Sequence, residues 1–277
     1  MKNLRILGIS KGIPFLSAAI ILACAALLAV KAWSPPASKQ VKNKEQETER
    51  YYGPTVDYEE DKGSSVQRDM KQRQLRQLRS DRYQKRAPQP LGEIPLGMTM
   101  FYIQDHKLMD LPALPTGQSD TVIIGEVTEA QAHLSNDKTA VYSEFTVNIK
   151  EVLKDNAASP LRIGNSIQAS REGGVVRFKD GRQLQYFVAN QGMPKEGQQY
   201  VFFLEYSAEA QDYPIVTAYE LKDNKVVPTD GAEIKESSGK LSFAAYEGKD
   251  RADFIKAVKE AVINPPQPLN RREGLNQ

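Results

Sequence analysis

Thiols and imidazoles are scarce. The 277-residue chain has one cysteine, Cys24, and two histidines, His106 and His133. One cysteine excludes an intramolecular disulfide and a Cys-based zinc site, and two histidines exclude a His-rich metal cluster. We therefore expect no metal and no cofactor. The body carries no Gly-x-Ser-x-Gly, P-loop or His-Glu-x-x-His pattern, so the usual nucleophile elbow, phosphate cradle and zinc-protease helix are missing, and no Ser-x-x-Lys nucleophile is expected either. An excess of one charge is missing too: 37 Lys/Arg stand against 35 Asp/Glu, net +2. That balance does not describe a nucleic-acid binder.

The near-neutral total hides a segregation. Residues 1–90 hold 17 Lys/Arg and 9 Asp/Glu, whereas residues 91–264 hold 18 and 25. A basic N-terminal third is joined to an acidic body, and such asymmetry says more about partners than the sum does.

Ile13–Val30 is 18 residues long without a charge, close to the ~18–20 needed to cross a bilayer as a helix. Lys2, Arg5 and Lys11 precede it, and Lys31 and Trp33 follow. The first reading is a single-pass anchor over 13–33, with residues 1–12 in the cytoplasm and the rest outside the inner membrane. The second is a cleaved signal peptide ending near Val30-Lys31-Ala32, which releases a secreted protein. A lipoprotein using Ile21-Leu22-Ala23-Cys24 ranks third, because the six residues after Cys24 are apolar. Each reading exports the body. Cys24 itself reads as a small apolar residue rather than a functional thiol.

Residues 34–90 read as a polar spacer too poor in aliphatic side chains to build a core. Within it, 65–86 contains eight Lys/Arg and two Asp, with Arg73, Arg76, Arg79 and Arg82 recurring every three residues. Val66, Met70, Leu75, Leu78 and Tyr83 fall along another helical stripe, so an imperfect amphipathic helix is expected. The stripe of arginines reads first as a solvated face. Its functional reading is a basic surface for anionic lipid, cell-wall polymer or an acidic envelope protein. Nucleic acid is excluded as a partner by the exported location and by the lack of interleaved aromatics for base stacking.

The body, 91–264, reads as mainly β: a small antiparallel barrel or sandwich, with an OB-like barrel as one option, closed by a C-terminal helix. Strands are expected at 121–127, 141–153, 166–171, 174–178, 183–189, 199–206, 214–221 and 225–227. Gly125 marks a bend or bulge. Lys179-Asp180-Gly181-Arg182 and Asp223-Asn224 mark hairpin turns. Gln199–Tyr206 is apolar on both faces and should be central. The segment 130–139, with His133, reads as a surface loop. A helix over 250–262 is N-capped by Asp250, ends at Asn264-Pro265-Pro266 and should cover an open end or edge of the sheet. Residues 265–277 read as a disordered tail.

The strings Leu114-Pro115, Ser119-Asp120, VIIGEV, LSNDK, VYSEFTVNIKEVLK, REGGVVRF, GMPKEG and QYVFFLEY span roughly 111–230. Together they resemble a family of membrane-anchored or secreted bacterial proteins to which no activity is assigned. The bent first strand, long second strand and final helix are also similar to OB-like barrels, including netrin/TIMP-like modules. Those modules rely on disulfides and, for protease inhibition, on an N-terminal cysteine, which this body does not offer.

Arg171-Glu172-Gly173-Gly174 is the most unusual local string, and with Asn190-Gln191-Gly192 it could line a binding loop. The competing reading is a bulge or turn whose glycines serve positive φ beside a rim ion pair. His106 and His133 read as solvated. The leading function is a membrane-tethered, extracytoplasmic binding or scaffolding module of the bacterial envelope, without catalysis. The alternatives are an envelope hydrolase built on Arg171, Glu172 or His133, and a protease-inhibitor-like module presenting 130–139.

Overall fold

Gln199–Leu204 shows how the chain organises itself. After Gln199 its five residues alternate in direction but are apolar both ways, so the strand can be stable only between two apolar layers. Tyr200, Phe202 and Leu204 enter one buried cluster, while Val201 and Phe203 enter another. The computed structural model describes residues 51–59, 70–104, 107–231 and 242–267. The expected cytoplasmic N-terminus and anchor, His106, residues 65–69 of the basic stretch and residues 268–277 of the tail lie outside them. Among the described residues, no helix is long and apolar enough to cross a membrane.

Ten strands are described: β1 (Thr55–Asp57), β2 (Met100–Ile103), β3 (Thr121–Leu134), β4 (Val141–Lys154), β5 (Ser166–Glu172), β6 (Gly174–Arg177), β7 (Gln183–Val188), β8 (Gln199–Leu204), β9 (Tyr213–Lys222) and β10 (Lys225–Pro228). Helix α1 spans Met70–Asp81 and α2 spans Arg251–Ile263. β3 pairs with β4, β4 with β5, β5 with β9, β9 with β8, and β8 returns to β3. The result is a closed five-stranded barrel, so the barrel option holds and the sandwich does not. All these pairs are antiparallel except β5–β9, which is parallel. A second sheet has the order β1-β6-β7-β2. Its outer strands, β1 and β2, were not foreseen from sequence.

The barrel interior is filled by Phe145, Val147 and Ile149 of β4 with Ile123, Val127, Ala169, Tyr200, Phe202 and Ile215. The outward β4 side chains Thr146, Asn148 and Lys150 are only partly buried or exposed, as period-two alternation requires. At Gly125 the β3–β4 register shifts. A Cβ there would collide with Val147 Cγ1, so β3 can cross this closely only without a side chain. The Asp223-Asn224 turn has both residues at positive φ, 48° and 60°, the conformation a tight hairpin needs.

Helix α2 begins where expected. The Asp250 carboxylate accepts from the Ala252 N–H at 2.8 Å, capping the helix. Phe254 and Val258 pack with Val201, Phe203, Tyr219 and Leu221. The helix thus covers an outer wall of the barrel rather than an open end.

Two expectations need correction. The segment 130–139 is not a free loop: β3 runs on to Leu134, and the turn that follows is tied down by Lys85 N–H to Asp137, Ala87 N–H to the Thr139 carbonyl and Leu91 N–H to the Lys138 carbonyl. Nor is 34–90 a spacer throughout. The compact unit starts at Tyr51; Thr55–Asp57 pairs in parallel with β6, and Tyr83 stacks on Tyr142 at 4.9 Å. Average composition hid this because a handful of apolar residues carries the contact. Val56, Tyr58, Tyr83 and Ala87, with Leu91 just beyond, join a third core, between the small sheet and the β3–β4 hairpin.

Candidate functional site

The arginines that recur every third residue have different fates. A spacing of three advances about 300° per step on an α-helix, so the stripe winds around α1 instead of holding one face. Arg73 is exposed and Arg76 half-buried, while Arg79 is buried. Arg79 donates from Nη1 to Glu144 Oε1 at 3.3 Å and from Nε to the Ala210 carbonyl at 3.2 Å. Arg82, just past the helix, grips Asp212 with two bonds of 2.8 and 3.0 Å. Ser170 Oγ donates to the same carboxylate at 2.7 Å. Burial works against the charge of Arg82, but the hydrogen bond and charge of Asp212 outweigh it and push its pKa further up. Arg79 and Arg82 therefore fasten the N-terminal segment to the barrel; the proposed solvated face survives only at Arg73 and, in part, Arg76.

The Arg171–Glu172 string lies at the end of β5. Arg171 is 2% exposed and donates to Asp230 Oδ2 at 2.7 Å and to the Gly192 carbonyl at 2.7 Å. Thr217 Oγ1 and the Gly192 N–H also donate to Asp230. Glu172 accepts from the Tyr186 hydroxyl at 2.7 Å and lies 2.8 Å from Arg86 Nη2. Gln191 Nε2 donates to the Glu172 carbonyl. So 171–174 and 190–192 do meet, as the sequence suggested, but Arg171 is spent on internal struts. Gly173 and Gly174 have φ of 129° and 153°, and a Cβ on Gly174 would lie 2.7 Å from Val141 Cγ1. These glycines let the chain pass directly from β5 in the barrel to β6 in the small sheet. Asn190 has φ 61°, and its carbonyl accepts from the Gly231 N–H at 2.7 Å.

His133 was expected in solvent. It is instead a β3 residue, 8% exposed, with its ring 5.4 Å from that of Tyr142 and Nε2 3.7 Å from Glu144 Oε2. Alternation explains the error: extending β3 by seven residues turns a loop position into a pleat position. Ser135 and Lys138 have the spacing of a Ser-x-x-Lys pair, but Ser135 Oγ donates to Asp137 and Lys138 Nζ donates to the Tyr58 carbonyl. They build the turn. Among the described residues, no group of three or more His, Cys, Asp or Glu is placed to hold a metal ion.

An open cleft of about 700 Å³ lies beside these struts. One wall is the segment Arg82–Arg86. The other is built from the ends of β5, β7, β8 and β9, including Glu172, Gln191, Tyr206 and Ser207. Lys85 is exposed at its rim with φ 58°. A smaller polar slot of about 250 Å³ lies between α1 and the barrel, lined by Arg76, Arg79, Glu129, Gln131, Glu144 and Gln168. Sequence reasoning missed Lys85, Arg86, Tyr206 and Ser207, which are more than a hundred positions apart across the cleft. The adjacent cations at 85–86 were visible but were counted only as part of a charge run.

No protein-family model and no curated protein matches the chain.

Proposed function

We propose that this chain is a membrane-tethered, extracytoplasmic binding module of the bacterial cell envelope, with an OB-like barrel that takes an anionic envelope polymer in the cleft beside Arg82–Arg86. The observation that carries the reading is the composition of that cleft. Lys85, exposed at the rim, lines it together with hydroxyl and amide groups of Ser207, Gln84 and Gln191; Arg86 faces the same space paired with Glu172, and Glu205 adds a carboxylate, so Lys85 and the hydroxyl and amide groups are what suit phosphate or carboxylate groups on a polyhydroxylated chain. The strand order supports the OB-like assignment: five strands in Greek-key order, with the third and fifth parallel. Barrels of that kind bind extended polymers across one face and its flanking loops. The uncharged Ile13–Val30 segment supports the tether.

The hydrolase alternative is disfavoured because Arg171 bonds to Asp230 and Glu172 to Tyr186 and Arg86. The inhibitor alternative needs a protruding 130–139 loop, and that segment is strand and tethered turn.

The test is titration of the detergent-solubilised full chain with polyphosphate, followed by Lys85→Glu. Saturable binding that Lys85→Glu weakens several-fold at unchanged thermal stability is expected. A wild-type chain with no affinity for the polyanion would remove the reading. Protease accessibility in spheroplasts tests the topology separately: residues 91–277 should be digested, and protection would refute export.

A further inference from the structure

We propose that the body seats on the lipid surface that holds its own anchor, through the apolar turn Pro95–Met98 and the outward side chains of β2. This rests on the tether read from Ile13–Val30 and adds which face of the body meets the bilayer. The turn is closed by the Met98 N–H, which bonds to the Pro95 carbonyl at 3.0 Å. Leu96 at its tip is 77% exposed. A Cβ added to Gly97 would meet nothing within 4 Å, so the turn stands out from the body. A leucine held there contributes almost no burial to the fold.

The strip continues along β2. Met98 is 39% exposed, Met100 45% and Tyr102 63%, while Phe101 between them points into the core and stacks on Tyr186. In register, Met100 lies beside Gln185, Gln185 beside Val175, and Tyr102 beside Phe187; neighbours in register share a face. The Tyr52 ring lies 5.2 Å from that of Phe187. From Ile94 to Gln104 no side chain is charged, in a chain where 26% of residues are. Asp57 and Arg177, on the same side of the sheet, are bonded to each other at 2.8 Å. Such a face can approach hydrocarbon without stripping water from an unpaired charge. Its arrangement also suits an interface: leucine and methionine at the tip, and the amphipathic tyrosines set back at headgroup depth.

Chain connectivity selects the occupant. Tyr51 and Tyr52, where the body begins, follow the charge-free segment after residues 31–50. Twenty residues span at most about 70 Å, and they enter the body within the strip itself, at Tyr52. An inserted anchor therefore keeps the bilayer within reach of this face, at the high effective concentration of an intramolecular contact. A separate protein would have to be met by diffusion. Four exposed side chains also fall far short of the roughly 20–30 residues a side that a stable protein interface uses. For a surface already tethered alongside, that small apolar contact is enough.

The test uses the full chain in a Cys24→Ser background, reconstituted into vesicles of phosphatidylethanolamine and phosphatidylglycerol. An environment-sensitive fluorophore is placed on Leu96→Cys or, as control, on Ile163→Cys. Ile163 is 68% exposed and lies toward the other end of β4: the Gly164 N–H bonds to the Ile149 carbonyl, whereas Val141 packs in the core beneath the small sheet. A lipid-borne nitroxide should quench the label at 96 several-fold more than the label at 163. Met98→Glu with Met100→Glu should erase that difference, and a difference that persists overturns the proposal. Trp33, the single tryptophan, reports the tether separately through quenching by brominated lipid. Trp33 quenched, with equally weak quenching at 96 and 163, overturns the face and leaves the tether standing. Strong quenching at 96 with Trp33 unquenched supports the face and removes the tether. Quenching at neither removes both. A label at 96 shielded from water yet untouched by the lipid quencher would assign the strip to another protein or a second copy, and also overturn the proposal.

Discussion

Two buried arginines illustrate how this protein uses charge. Arg171 is nearly inaccessible and its charge is met by Asp230, which also accepts from Thr217 and the Gly192 N–H. Removing one partner of such a pair leaves the other buried and unmatched, at a cost of about 3–5 kcal/mol. Arg171→Ala should therefore lower the urea midpoint sharply; an unchanged midpoint would mean that the network is not structural. Tyrosines set the alkaline limit. Burial, then the charge of Glu172, pushes the Tyr186 pKa up, and burial does the same to Tyr200 and Tyr219. A phenol with a raised folded-state pKa contributes stability that is full below the unfolded value near 10 and is lost as pH rises through the folded value. Denaturation monitored by far-UV dichroism should thus steepen above pH 10, and Tyr186→Phe should flatten its share of that loss. At the acid end, burial opposes ionisation of Asp137. Hydrogen bonds from Ser135, Lys85 N–H and Thr139 outweigh it and lower the pKa. Its contribution is present above the ordinary aspartate range and lost as pH falls below it. Asp137→Asn should remove that acid sensitivity of the 135–139 turn, read by amide exchange.

Helices and strands were legible to different degrees. Strands β3 to β10 were found because alternation and turn residues coincide: VYSEFTVNIKEVL alternates cleanly, and Asp-Gly and Asp-Asn mark its later hairpins. Helix α2 was found from its cap and apolar spacing. Asp250→Ala should cost about 1 kcal/mol, the usual worth of an N-cap, and Phe254→Ala about 3–5 kcal/mol, because that ring fills the wall between helix and barrel. Thermal melts of both variants check the order. β1 and β2 were missed because each pairs in parallel with a strand far along the chain, Thr55 with Val175 and Met100 with Gln185. No local turn announces such a pairing. Helix α1 was half-read: its helicity was visible, but its docking was not. Among its side chains Leu75 is the one buried large hydrophobe, and the attachment runs through Arg79 and, beyond the helix, Arg82.

At the scale of the whole molecule, that attachment predicts a salt-sensitive N-terminal strap on a salt-insensitive barrel. The Arg82–Asp212 pair is partly open to solvent at the arginine, where ions screen it, while the barrel is held by apolar clusters and by an Arg171–Asp230 pair buried from solvent ions. Hydrogen exchange in 70–81 should accelerate with added salt while β4 and β8 stay protected; uniform protection at all salt concentrations would show one cooperative unit. The candidate cleft belongs to the same scale, since its walls come from the strap and from the barrel. By itself the amino-acid sequence determined the β character of the body, the bend at Gly125, the hairpins, the C-terminal helix and the lack of thiol chemistry in the body, because those follow from local alternation, turn chemistry and composition. The tertiary structure alone decided that the barrel closes, that 51–59 and 70–90 are part of the body, and that Arg79, Arg82 and Arg171 face inward. Those outcomes depend on which distant carboxylate each cation meets, and local sequence carries no record of that distance.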